Sequence, residues 1–157
     1  MLIALLALLQ AATVPNPAGE EPVAPYAQSD ANAGATPLKD AAVWRAFHES
    51  AGVGRIVDAL IARNQADPRI SDIFKGQDLV RLRRVLKEQL CYVLGGGCTY
   101  SGRSMADAHR NMGVQQADMA ALVENLQASM REERVPFWAQ NRLLAKLAPM
   151  HRNVVTR

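Results

Sequence analysis

The chain has 157 residues, is 49% hydrophobic and 21% charged, and carries a net charge of +3. That length suits one domain with a continuous core, and the scattered lysines and arginines exclude the dense basic footprint of a nucleic-acid binder. Two cysteines, Cys91 and Cys98, are too few for a disulfide scaffold, and their C-x6-C spacing without further ligands excludes a zinc pattern.

Residues 1–12, MLIALLALLQAA, form an apolar run of the length of a signal-peptide core, too short to cross a bilayer comfortably. Small residues at Ala11 and Ala12 would suit a peptidase, although no basic residue precedes the run. The expectation is a signal or anchor segment and a periplasmic or secreted protein; a mis-assigned start would leave it cytoplasmic. Contact with a membrane is expected only through this segment, if it stays uncleaved. Residues 13–40 are rich in Pro, Ala, Gly, Asn and Asp and show no period, which predicts a flexible linker. A folded domain is expected over 41–157.

Beyond Ala41 no segment alternates as a strand does; helical spacing runs throughout, which predicts an all-α fold of about five main helices. Val53, Ile56, Val57, Leu60 and Ile61 share one face of a helix that stops at Pro68. Leu79, Leu82, Leu86, Leu90 and Val93 make a second stripe, with Arg81, Arg84 and Lys87 off it. Glycines 95–97 end that helix, because glycine accepts the left-handed backbone of a helix terminus. A short helix around 104–111 carries His109. Met119, Leu122, Val123, Leu126 and Met130 mark the next helix. Pro136 is placed at the first position of a last one, with Leu143, Leu144, Leu147 and Met150 turned inward.

One histidine in a helical domain usually has a plain packing role, and His48 and His151 are given no more than that. His109 differs: it lies between a glycine turn and a long apolar helix, with Met105 and Met112 close by. An imidazole among flexible thioethers and apolar helices suits a haem, which needs a nitrogen for iron and a greasy sheath for the porphyrin.

With these residues in view, the sequence resembles the truncated haemoglobins, most closely group I. The resemblance covers about residues 42–152. It is carried by LGGGCTYSGRSMADAHRNMG (94–113), ADMAALVENL (117–126), VPFWAQNRLLAKLAPM (135–150) and ADPRISDIF (66–74). It implies a truncated globin: a two-over-two helical sandwich around haem b. His109 would be the proximal iron ligand. Phe74 would pack on the haem, and Leu82, Leu86 and Leu90 would face it from the distal helix. Met105, Val114, Met119, Leu122, Leu126 and Leu147 would wall the pocket, and Tyr100 would reach a haem propionate. Each wall residue also has a plain core reading.

The chain departs from the family over the iron. Where group I members commonly carry a distal tyrosine this chain has Ile61, and where they often carry a glutamine it has Leu86; Val85 stands at a position that ligates iron in some members. Gln89 and Tyr92 are the nearest polar residues; Gln89, one position from the Leu86–Leu90 stripe, would either lean toward the pocket edge or face solvent. The first helix is also in question, since His48-Glu49 replaces a family Gly-Gly. Cys91 and Cys98 are expected as free thiols, although export would permit a disulfide.

The function implied is reversible binding of a diatomic gas (O2, NO or CO) in an apolar distal pocket. The alternatives are a haem enzyme such as an NO dioxygenase or weak peroxidase, which would need a reductase or other electron donor, and an extracytoplasmic electron-transfer protein. A haem-free helical module is the remaining alternative.

Overall fold

A computed structural model describes residues 16–156, so the apolar segment at 1–12 lies outside the described residues. The domain is built from α1 (Ala41–Ala46), α2 (Glu49–Ala66), α3 (Ser71–Phe74), α4 (Leu79–Val93), α5 (Met105–Ala108), α6 (Gln116–Glu132), α7 (Phe137–Leu147) and α8 (His151–Val154), with 3-10 turns at Asp30–Ala33 and Ala148–Met150. No strand occurs among the described residues. The all-helical expectation holds, and the four long helices make the two-over-two sandwich.

Each long helix follows from its stripe and its caps. Val53, Ile56, Val57, Leu60 and Ile61 of α2 are all buried, and they meet Leu90 and Val93 of α4, Leu126 and Met130 of α6 and Leu143 of α7 in one core. Full burial of such side chains is worth about 1.5–3 kcal/mol each, so α2, packed against both α4 and α6, is the centre of the fold. Asp78 caps α4 by accepting the Arg81 amide at 2.9 Å, and Asp118 accepts the Gln115 amide at 2.8 Å to open α6. Pro136 proves to be the cap preceding α7 rather than its first residue. The short helices α1, α3 and α8, of four to six residues, carry too few positions for periodicity to mark them.

The doubtful first corner resolves into an unusual backbone. His48 and Glu49 both take left-handed conformations, φ 55° and 57°, the geometry that a Gly-Gly pair would adopt without strain. For residues with a Cβ this costs roughly 1–2 kcal/mol apiece. A chelate across the corner holds it: Glu133 accepts from Arg55 Nε at 2.8 Å and lies 2.7 Å from His48 Nδ1. Close packing tightens the corner further, because a Cβ at Gly52 would collide with the Phe47 carbonyl.

The expected flexible linker is corrected over its described part. Residues 16–40 lie against the helices as a strap. Glu20, with a side chain only 1% exposed, is clasped by Arg81 and Arg84 of α4. Tyr26 donates its hydroxyl to the Ser101 carbonyl at 2.7 Å, Ala33 is fully buried, and the Leu38 amide donates to the Val93 carbonyl at 2.8 Å. Gly95, at φ 79°, ends α4 as expected; a Cβ there would also strike the Leu38 carbonyl, so the same glycine admits the strap.

A second correction concerns the cysteines. Cys91 and Cys98 form a disulfide, with Cα atoms 5.7 Å apart, tying the end of α4 to the glycine turn. Helix termination at Leu94 folds the turn back over α4 and brings together two thiols that spacing alone left apart.

Candidate functional site

The site begins with the short α5. Ser104 caps it, its Oγ accepting the Asp107 amide at 3.2 Å. The helix is only Met105–Ala108, so His109 occupies its C-terminal cap at φ −107° rather than its interior. Two N–H groups of His109 converge on one acceptor: the backbone amide reaches the Met105 carbonyl at 3.2 Å and Nδ1 reaches it at 2.8 Å. A carbonyl can only accept, so Nδ1 holds the hydrogen and the lone pair of a neutral ring is on Nε2. Among the described residues Nε2 has no hydrogen-bond partner, and the ring is half-buried. A ring held by one nitrogen with the other bare is what a metal-ligating imidazole requires.

No group of three or more His, Cys, Asp or Glu among the described residues could cage a bare metal ion. An iron on His109 would therefore need its remaining ligands from elsewhere, which a porphyrin supplies. The walls fit such a group. The stripe of α2 is buried throughout, whereas Leu79, Leu82, Val85 and Leu86 on the equally apolar face of α4 are only half-buried. Phe74 of α3, Met119 and Leu122 of α6 and Leu147 of α7 are half-buried too. Four elements thus leave apolar surface that their own packing does not cover, as a site for a flat apolar cofactor requires.

The structure gathers most of the expected residues into two clusters. Ile61, Leu90 and Leu126 are buried in the main core with Leu82, Leu86 and Leu147 against it. Met105 and Val114 are buried in the second cluster, with Val85, Met112 and Met119 against it. Leu147 packs against both. Phe74 and Leu122 belong to neither cluster and are half-buried beside them.

Tyr100 lies in the turn that leads into α5. It is 5% exposed within the second cluster, its ring lies against Gly102, and its hydroxyl donates to the Arg103 carbonyl at 3.0 Å. Burial pushes the phenol up to about 12. With its O–H donated inside the loop, Tyr100 shapes the turn before α5.

Gln89 does not face solvent. It is buried, and its amide donates to the Ala33 carbonyl of the strap at 2.9 Å while lying 3.3 Å from the Met105 sulfur. It therefore joins the strap, α4 and the residue whose carbonyl orients His109. Arg81 and Arg84, read from the sequence only as lying off the stripe, turn out to face Glu20; Arg84 also holds Glu88 at 2.9 Å. The one sequence signal for this contact was the acidic pair Glu20-Glu21 in an otherwise weakly charged stretch, complementary to the basic run at 81–84.

Over residues 46–156 the chain matches the bacterial-like globin family. It is 34% identical over 67 residues to a group 1 truncated hemoglobin of Tetrahymena thermophila, an alignment covering 43% of this chain and 55% of that protein. The chain thus spans little more than half the length of this relative. With a group 1 truncated hemoglobin of Synechocystis it shares 34% identity over 84 residues, 51% of this chain and 68% of the relative. In three dimensions it superposes on the Fe(III) form of truncated hemoglobin from Tetrahymena pyriformis with a TM-score of 0.70 at 23% identity, covering 73% of this chain and 98% of that one. The family match runs from the end of α1 through His109 to α8. The chain therefore belongs to the bacterial-like globins, and its relatives and its fold are those of the truncated haemoglobins.

Proposed function

We propose that this globin holds haem b on His109 and binds a diatomic gas, O2, NO or CO, on the opposite face. The observation that carries the reading is the His109 ring, donating through Nδ1 to the Met105 carbonyl at 2.8 Å and leaving Nε2 bare. Phe74, Leu82, Leu86, Met119, Leu122 and Leu147 would sheath the porphyrin, and their partial exposure supports that use. When bound, haem supplies an iron with one position open to a gas. Ile61, Leu82, Val85 and Leu86, which would line the gas site, are aliphatic and donate no hydrogen bond. A diatomic ligand that gains from a donor, O2 above all, is held less tightly by such residues than CO. A reductase or other electron donor is part of the proposal, since O2 or CO would require the iron in its reduced state.

Export is proposed as well. The Cys91–Cys98 disulfide supports it, since such bonds persist in oxidising compartments, and the apolar run at 1–12 has the length of a signal core.

The test is a set of oxidised, reduced and CO-bound absorption spectra of protein made with ample porphyrin, wild type beside His109→Ala. A Soret band that shifts with CO in the wild type and is lost or displaced in the variant is the expected result. No Soret band in the wild type, or an unaltered one in the variant, would overturn the reading.

A further inference from the structure

α7 opens on the dipeptide Phe137-Trp138, whose residues are 73% and 49% exposed. Apart from Val23 and Val80, they are the exposed large hydrophobics among the described residues. Scattered exposed apolar residues are ordinary, but two adjacent aromatics are a patch that costs solubility. Their platform is rigid. Gln140 donates to the Val135 carbonyl at 2.8 Å, and the Val135 amide donates to the Met130 carbonyl at 2.9 Å. Ala139 and Leu143 bury the other side of the helix in the core. Trp138 and Arg142, one turn apart, are both exposed, and so share the outer face.

Charge is segregated toward the same segment. The +3 net charge divides into +5 over residues 134–157, which contain no Asp or Glu, and −2 over the rest of the chain. Earlier arginines such as Arg55, Arg63, Arg69 and Arg83 hold acidic partners. Among the described residues Arg134, Arg142, Lys146 and Arg152 are in no ion pair. Unneutralised cations flanking protruding aromatics are the makeup of a surface that lies on an anionic lipid interface, where Trp settles at headgroup depth and Arg meets lipid charge. A second copy is a poor occupant, since a two-fold contact through this face would bring like charges together.

We propose that the outer face of α7, centred on Phe137, Trp138 and Arg142 with Arg134 beside it, docks the folded domain on an anionic membrane surface. The domain thereby acquires a membrane contact of its own, beyond the one expected of residues 1–12. The proposal is independent of what His109 binds.

The experiment is flotation of the full-length, porphyrin-supplied protein with vesicles of phosphatidylcholine alone or mixed equally with phosphatidylglycerol. Phe137→Ser/Trp138→Ser and Arg134→Glu/Arg142→Glu are compared with wild type. Residues 1–12 are common to all three proteins, so any contribution from them is shared, and far-UV circular dichroism verifies that the exposed substitutions leave the fold intact. Wild type is expected to prefer the anionic vesicles, and each double variant to lose at least about tenfold in partitioning. Equal partitioning of wild type and variants, no preference for anionic lipid, or no binding at all would overturn the proposal. So would a lipid-free wild-type dimer that both variants dissociate, which would give the face to a second copy.

Discussion

In the proposed gas-binding reading, Leu86 is the side chain that would bear on ligand preference. It is half-buried on α4, in line with Leu82, where many group I members would offer an amide. A neutral hydrogen bond contributes about 0.5–1.5 kcal/mol, and tenfold in a rate or affinity corresponds to about 1.4 kcal/mol. Leu86→Gln, similar in volume and not fully buried, is therefore expected to slow O2 release by up to about tenfold and to change CO release little, as read by stopped-flow on the reduced protein. At the first corner, Glu133 is held from an ordinary 4.5 down to about 2, chiefly by its hydrogen bonds from Arg55, with His48 adding to the effect. The sign follows from a depressed carboxyl. The folded state keeps the carboxylate where the unfolded chain has begun to take up a proton, so the stabilisation is complete above the ordinary value and is lost as pH falls toward 2. Arg55 is 60% exposed, which limits the effect to no more than about 1 kcal/mol. Glu133→Gln is expected to lower the urea midpoint at neutral pH, with the gap closing as the acid limb is descended.

The strap and α4 form the next level. Glu20 is nearly fully covered, while Arg81 and Arg84 are 18% and 28% exposed. The Glu20 carboxyl lies below its usual range, first because Arg84 donates to it. Removing the charge would leave two guanidinium groups without their shared partner. Glu20→Gln is therefore expected to cost about 1–3 kcal/mol. It should also speed amide exchange at Glu21 and Leu38, whose strap hydrogen bonds run to Asp78 and Val93, without speeding exchange in α2. Faster exchange throughout, or nowhere, would mean that the strap is not held as a unit by this carboxylate. Gln89 acts at the same scale through its contacts to Ala33 and Met105. Here the sequence was misleading for a physical reason: on a helical wheel Gln89 is merely next to the Leu86–Leu90 stripe, and the element it serves is 56 residues away.

For the molecule as a whole, the disulfide is the one covalent constraint among the described residues. It joins residues only 7 apart in sequence, so by chain-entropy reasoning it contributes about 2–3 kcal/mol. Unfolding the oxidised protein and the Cys91→Ser/Cys98→Ser variant in urea should reveal that difference; equal midpoints would show that the turn is held by its packing alone. The bond closes the end of α4 beside the Leu38 contact with Val93, so strap, helix end and glycine turn meet in one place.

The periodic spacing of apolar residues by itself determined the long helices and most of the core, because a helix repeats over a few residues and its stripe can be read locally. The residues around 94–113 likewise mark His109 by their resemblance to the family alone. Tertiary structure alone decided which half of each stripe is truly buried, how α4 keeps its apolar face partly open, and where Gln89, Tyr100 and Glu20 spend their polar atoms. Those outcomes depend on pairs such as Glu20 and Arg84, 64 residues apart, whose meeting is set by the packing of whole elements. No local pattern along the chain encodes that distance.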